Sequence, residues 1–146
     1  MQADDYFAIQ NLIHRYARCI DRGDFAGATR LFARAEVHMP ARAEPYVNDP
    51  DGLLTLWLAM VRIDAQTGTP RTQHLMSNII IEPDGDERAR AQTYGTVLQA
   101  TPSLPLQPIA TVTYHDRFAK DDTGWYFTAR RLELNLLGNL GEHLLG

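Results

Sequence analysis

The sequence has no apolar run near the ~20 residues that a membrane-spanning helix requires. Its most apolar window, Leu53 to Val61, is short and interrupted by Thr55. No membrane partner is expected. There is a single cysteine, Cys19, so no internal disulfide can form. Charge of either sign is sparse in excess: 14 Lys and Arg stand against 18 Asp and Glu, for a net −4. No basic stripe with interleaved aromatics is present, and Arg130-Arg131 is the nearest approach to one, so no nucleic-acid partner is expected. The five histidines, at 14, 38, 74, 115 and 143, have no partners at zinc-ligand spacing. Neither a metal nor an organic cofactor is called for. The start, Met-Gln-Ala-Asp-Asp-Tyr, lacks the basic and apolar stretches of a secretory signal, and the expected location is cytoplasmic. Repeats, low-complexity segments and linkers are also missing, which leaves one domain over 1–146.

What is present suits a small globular domain. A chain of 146 residues can bury roughly 68–70% of the surface its unfolded form exposes, without a disulfide or metal to help. Asp4 or Asp5 can cap a first helix. Ile9, Leu12, Ile13, Tyr16, Ala17 and Ile20 then recur at helical spacing, predicting one buried face. Gly23 suits a left-handed cap, and Asp24 can start a short second helix carrying Phe25, Ala28, Leu31 and Phe32. Glu36 to Met39 reads as a short strand and Ala41 to Asn48 as a loop. A third helix is expected over Leu53 to Ala65, largely buried. Beyond Pro70 the pattern changes. Strands are expected over Gln73–Glu82, Arg88–Ala100, Ile109–Lys120 and Trp125–Leu134. Ala89, Ala91, Thr93, Gly95 and Val97 share one face of the second of these. Thr101 to Pro105 reads as a connection, and the Leu- and Gly-rich tail from Leu136 as a short helix. Helices first and a meander of long strands after them imply an α+β fold. A curved antiparallel sheet wrapped over the N-terminal helices would enclose a pocket.

Three side chains stand out for chemistry. His74 lies at the entry to a strand, on a face it shares by period two with Met76, Asn78 and Ile80. Histidine is the side chain best suited to accept and return a proton near neutral pH. Asp21 sits at a helix C-terminus, facing the negative end of the dipole, a mild local cost that points to a role elsewhere. Tyr16 is on the apolar face of the first helix, and a buried phenol needs a partner. Tyr114, Asp116 and Phe118 share one strand face, and a buried Asp116 would need a cation such as Arg131.

The segments Ile13 to Phe25, Arg71-Thr72-Gln73-His74, and Tyr114 to Arg131 with Gly124-Trp125 resemble the SnoaL-like branch of the nuclear-transport-factor-two-like superfamily. That resemblance implies a cone-shaped α+β fold. Positions Asp21 and His74 are similar to the catalytic Asp and His of scytalone dehydratase. Tyr16 with Asp21 is similar to the Tyr-and-Asp spacing of bile-acid 7α-dehydratase. The lindane dehydrochlorinase has Lys at the Tyr16 position. All three are eliminating lyases that need no cofactor, in which the Asp orients the His and the His removes a proton. Ile20 departs from scytalone dehydratase, which has Tyr there. Its second catalytic His and its pocket Asn fall near Thr101 and Tyr114, so scytalone is not the expected substrate.

The expectation that follows is a dehydratase-type β-elimination with His74, Asp21 and Tyr16 as catalytic residues. Phe32, Trp57, Met60, Met76, Asn78 and Tyr114 are expected to bind the substrate, with Val61 and Val112 as further walls. The substrate would be small and apolar, aromatic or polyketide-, steroid- or terpenoid-like. The alternatives are an isomerase using the same pair and a binding protein without chemistry; a pure dimerisation module would have a filled interior. Exposed apolar surface on the sheet would fit a homodimer or homotrimer.

Overall fold

A computed structural model describes all 146 residues. Its first element, α1 (Ala3–Asp21), buries Ile9, Leu12, Ile13, Tyr16, Ala17, Cys19 and Ile20 along one side. The cap is Gln2, two and three residues before the aspartates; Asp5 instead accepts from the Gln2 backbone N–H at 2.8 Å. The helix stops as the sequence implies. Gly23 adopts φ +80, its N–H reaches the Ile20 carbonyl at 2.9 Å, and the Asp24 N–H reaches that of Cys19 at 2.8 Å. These are the paired bonds of a Schellman end. Space also demands glycine here, since a Cβ would sit 2.1 Å from the Gly68 carbonyl oxygen.

Asp24 then caps α2 (Phe25–Arg30) by accepting from the Gly27 N–H. Two short strands follow, β1 (Glu36–His38) and β2 (Tyr46–Val47), the second inside the segment expected to be a loop. Asp49 caps α3 (Pro50–Met60) by accepting from the Gly52 N–H. This helix is shorter than expected and less buried. Only Leu53 and Trp57 are fully covered, while Leu58 and Met60 are exposed. It ends because Val61 leaves helical geometry to form a β-bridge with Leu144.

Four long strands complete the chain: β3 (Thr72–Pro83), β4 (Arg88–Thr101), β5 (Leu104–Asp121) and β6 (Gly124–Leu137). The sheet order is β2-β1-β6-β5-β4-β3, antiparallel except for β1 beside β6. Thr101 and Leu104 pair directly, so the expected connection is a tight hairpin and β5 begins early. Register shifts at Ser77/Ile80, Val97/Leu98, Thr111/Val112 and Arg117/Phe118 bend the strands, as β-bulges do. The sheet is thus curved and unclosed, and the helices lie in its concave side. Ala89, Ala91, Thr93, Gly95, Val97 and Gln99 alternate inward along β4. Trp125 Nε1 and Lys120 Nζ both donate to Asp5 Oδ1, at 2.8 and 2.9 Å, pinning the start of α1 to the β5–β6 turn. The tail beyond Leu137 forms turns rather than a helix. Besides the bonds within those turns, its backbone pairs with the end of α3, with the Arg62 N–H donating to the His143 carbonyl and the Leu145 N–H to that of Met60.

Candidate functional site

The end of α1 and the start of β3 meet at Asp21 and His74. Helix geometry and the Gly23 turn deliver Asp21, while Arg71 delivers the strand. Arg71 takes φ +56, unusual for a residue with a side chain. It is held there by its Nε donating to Asp64 Oδ2 at 2.8 Å. The result is a compact arrangement around one carboxylate. His74 Nδ1 lies 2.6 Å from Asp21 Oδ1, the His74 backbone N–H donates to Oδ2 at 2.7 Å, and Thr72 Oγ1 donates to Oδ1 at 2.9 Å. The His74 side chain is 7% exposed and that of Asp21 17%. A carboxylate with three donors is fixed in place. A proton on Nδ1 satisfies the Asp21 contact, and the neutral ring then carries its lone pair on Nε2.

His74 lines a cavity of about 640 Å³ between the concave sheet and the helices, within the range of small-molecule sites. Tyr16, Trp57, Met60, Val61, Val112 and Tyr114 line it too, with Leu56, Leu132 and Leu140 among the other walls. Tyr16 is the hub of the aromatic floor. Its ring lies 5.9 Å from Trp57, 5.8 Å from Tyr114 and 6.5 Å from His74, all edge to face. Burial pushes the Tyr16 phenol above its ordinary range, with the Arg130 charge opposing, and burial pushes Tyr114 well above it. Both therefore stay protonated near neutral pH. Gly95 makes room for the floor, because a Cβ there would meet Tyr114 Cε2 at 2.7 Å and Val112 Cγ2 at 2.9 Å.

Three residues named as substrate contacts lie away from this lining. Phe32 is fully buried behind Tyr16, 5.9 Å from its ring, and belongs to the core. Met76 faces the core half-buried, outside the cavity wall. Asn78 takes φ +52 within the bulge of β3, which breaks the alternation and leaves it and Ile80 exposed. Asp116 is buried, but its cation is Arg130 rather than Arg131, because the β5–β6 register sets Asp116 opposite Arg130. Arg131 points outward.

Thr72, Arg130 and His143 join or support the site although none was expected there. Thr72 was accessible, since it lies two residues before His74 and period two puts both on one face. Arg130 stacks its guanidinium 4.2 Å from the Tyr114 ring and 4.5 Å from that of Tyr16, supporting the floor from below. His143 reaches the cavity from the tail, and nothing local in the sequence signals it. No group of three or more His, Cys, Asp or Glu side chains converges at metal-binding spacing. No helix is long and apolar enough to cross a membrane.

Solved structures share this architecture. A protein of unknown function with a cystatin-like fold from Nostoc punctiforme superposes with a TM-score of 0.73 at 20% identity, over 96% of this chain and 98% of that one. A protein of unknown function from Mycobacterium tuberculosis gives 0.72 at 23% identity, over 93% and 79%. One provisionally named a scytalone dehydratase, from Novosphingobium aromaticivorans, gives 0.66 at 19% identity, over 94% of each. No curated protein matches the chain by sequence. The model of the SnoaL-like domain matches residues 1–131, and with the α+β cone and its lined interior this places the chain in the SnoaL-like family.

Proposed function

We propose that this protein is a cofactor-independent lyase of the dehydratase type, acting on a small apolar molecule that carries a hydroxyl. The observation that carries the reading is a carboxylate-oriented imidazole, 2.6 Å from Asp21, set in the wall of a largely apolar cavity. Asp21 holds the His74 tautomer and stabilises the imidazolium that forms, as the carboxylate of a catalytic triad does. His74 Nε2 removes a proton from carbon. The C–H electron pair becomes the new C=C bond, the C–O bond breaks with its pair on oxygen, and that oxygen takes the proton back from the His74 imidazolium to leave as water. Tyr16, held protonated by burial, donates a hydrogen bond to the oxygen on which charge develops. Acid–base assistance of this kind is worth about 10²–10⁴ in rate. The apolar walls favour an aromatic, polyketide-, steroid- or terpenoid-like body.

The same pair serves an isomerase when the substrate has no leaving group, and the product separates the two. The test is a thermal-shift panel of aromatic, steroid-like and terpenoid alcohols against wild type and His74→Ala, followed by mass spectrometry of each hit. Loss of water from a hit with wild type alone supports the lyase. An unchanged mass with a new isomer supports the isomerase. A ligand that binds both proteins equally and is converted by neither refutes the catalytic reading in favour of a binding protein.

A further inference from the structure

Six residues of the tail, Leu140 to Leu145, form a strap across one side of the cavity, and three of them, Leu140, His143 and Leu144, line it. The strap is tied down along its length. The Arg62 N–H donates to the His143 carbonyl at 2.8 Å, and the Leu145 N–H to the Met60 carbonyl at 2.9 Å. Val61 bridges to Leu144, and Gln99 Nε2 donates to the Glu142 carbonyl at 3.3 Å. The backbone of His143 is thus fixed from α3 and from β4.

Its ring is not satisfied in the same way. Nδ1 of His143 is buried and has no hydrogen-bond partner on the protein. Two other polar side chains of the lining do find partners on the protein. His74 Nδ1 is engaged by Asp21, and Arg42 by the Glu44 carbonyl and the Tyr46 hydroxyl. Nδ1 of His143 is closed to water and therefore to a ligand, whereas Nε2 also has no partner on the protein and is not closed off, which leaves it as the nitrogen that can meet a bound molecule.

We infer that His143 is a second imidazole of the ligand site, hydrogen-bonding the hydroxyl or carbonyl oxygen of the bound molecule from the strap. The inference rests on the ligand cavity of the proposed function but not on its chemistry. Burial and the neighbouring His74 hold the His143 pKa down to about 4, so near neutral pH the ring is uncharged and offers one donor and one acceptor. It can therefore receive a hydroxyl proton or donate to a carbonyl without bringing a net charge into an apolar cavity. His143 acts as a positioning and specificity residue, selecting oxygenated over bare apolar bodies.

A matched pair of probes reads this directly. 2-Naphthol and naphthalene share one apolar body and differ by one hydroxyl. Wild type is expected to bind 2-naphthol roughly three- to tenfold more tightly, the yield of one net hydrogen bond. His143→Leu is expected to bring that ratio near one while leaving naphthalene affinity unchanged, and His143→Gln to keep part of it. Ring ¹⁵N shifts of histidine-labelled wild type read the same contact without altering the strap, and the His143 resonances are expected to move with 2-naphthol and not with naphthalene. An unchanged ratio in His143→Leu, or a shift at His74 alone, would overturn the inference while leaving the catalytic proposal standing. Failure of both probes to bind wild type would overturn it together with the apolar-cavity reading. Loss of the acid–base proposal, by contrast, shows as turnover that survives His74→Ala or as binding without turnover in wild type.

Discussion

Arg130→Met is the most demanding test of the packing beneath the site. Asp116 and Arg130 form a bidentate pair at 2.7 and 2.9 Å, with side chains 0% and 4% exposed. Four aromatic rings surround the guanidinium, those of Phe32 and Phe127 at 5.1 and 5.0 Å besides the two tyrosines. Replacing the arginine leaves Asp116 charged or protonated in a closed apolar setting with its partner gone. Breaking a buried pair from one side costs about 3–5 kcal/mol. For a domain of this length each kcal/mol shifts the melting temperature by about 2–4 °C, so a fall of roughly 6–20 °C is expected. Removing both charges together, as Asp116→Leu with Arg130→Met, is expected to recover most of the loss, because no uncompensated charge then remains. Urea unfolding at pH 7, followed by tryptophan fluorescence for the two single variants and the double, gives the coupling energy. A cost below about 1 kcal/mol for Arg130→Met, or a double variant as unstable as the sum of the singles, would refute the reasoning.

Other outcomes follow from the same geometry. Asp21→Asn should lower turnover by about 10²–10⁴ with little change in ligand affinity, since it alters the orientation and tautomer of His74 rather than the cavity walls. Steady-state kinetics on the first identified substrate checks it, and a change in KM alone would contradict it. Gly95→Ala should destabilise the fold by about 1–3 kcal/mol and weaken ligand binding, because its Cβ meets the Tyr114 ring; calorimetry of folding and binding reads both. Stability should also fall between pH 6.5 and pH 4. His143 is neutral when folded down to about pH 4 but protonates at about 6.5 when unfolded, so acid favours the unfolded chain across that window, with His74 adding to the effect and Asp21 opposing it. At pH 5 the loss amounts to about 2 kcal/mol. Asp5, Asp64 and Asp121, whose pKa values lie below their ordinary range, lose their contribution only at lower pH. Urea melts of His143→Gln between pH 5 and 8 should show a flattened profile, and an unchanged profile would contradict the assignment.

The contrast between what was legible and what was not has physical reasons. The apolar face of α1 and the inward row of β4 were readable because each obeys one unbroken period, and Asp24 and Gly23 are local signals with a local cause. Asn78 was misplaced because a bulge inverts alternation, and Ser-Asn in a strand carries no mark of a bulge. Phe32 and Trp57 look alike in sequence, since an apolar side chain facing inward meets either packed core or cavity depending on partners distant in the chain. Arg130 rather than Arg131 pairs with Asp116 because strand register decides it, and register depends on where the β5–β6 hairpin turns and where β6 bulges at Thr128, opposite Arg117 and Phe118. Val61 and the tail defied the helix pattern for a related reason: each finds its hydrogen bonds in the other. Asp21 and His74 were singled out by residue type and by resemblance, whereas their 2.6 Å contact is a product of the assembled fold.

The account turns on His74 as a base that takes a proton from carbon. Deuterium uptake tests that step whether elimination or isomerisation follows. Wild type and His74→Gln would be incubated in D₂O with enolisable aromatic, steroid-like and terpenoid ketones and their hydroxylated counterparts, and the recovered compounds examined by mass spectrometry. The account predicts deuterium incorporation or loss of water for at least one compound with wild type, and neither with His74→Gln. Equal incorporation by both proteins, or binding without exchange or elimination in either, would contradict it.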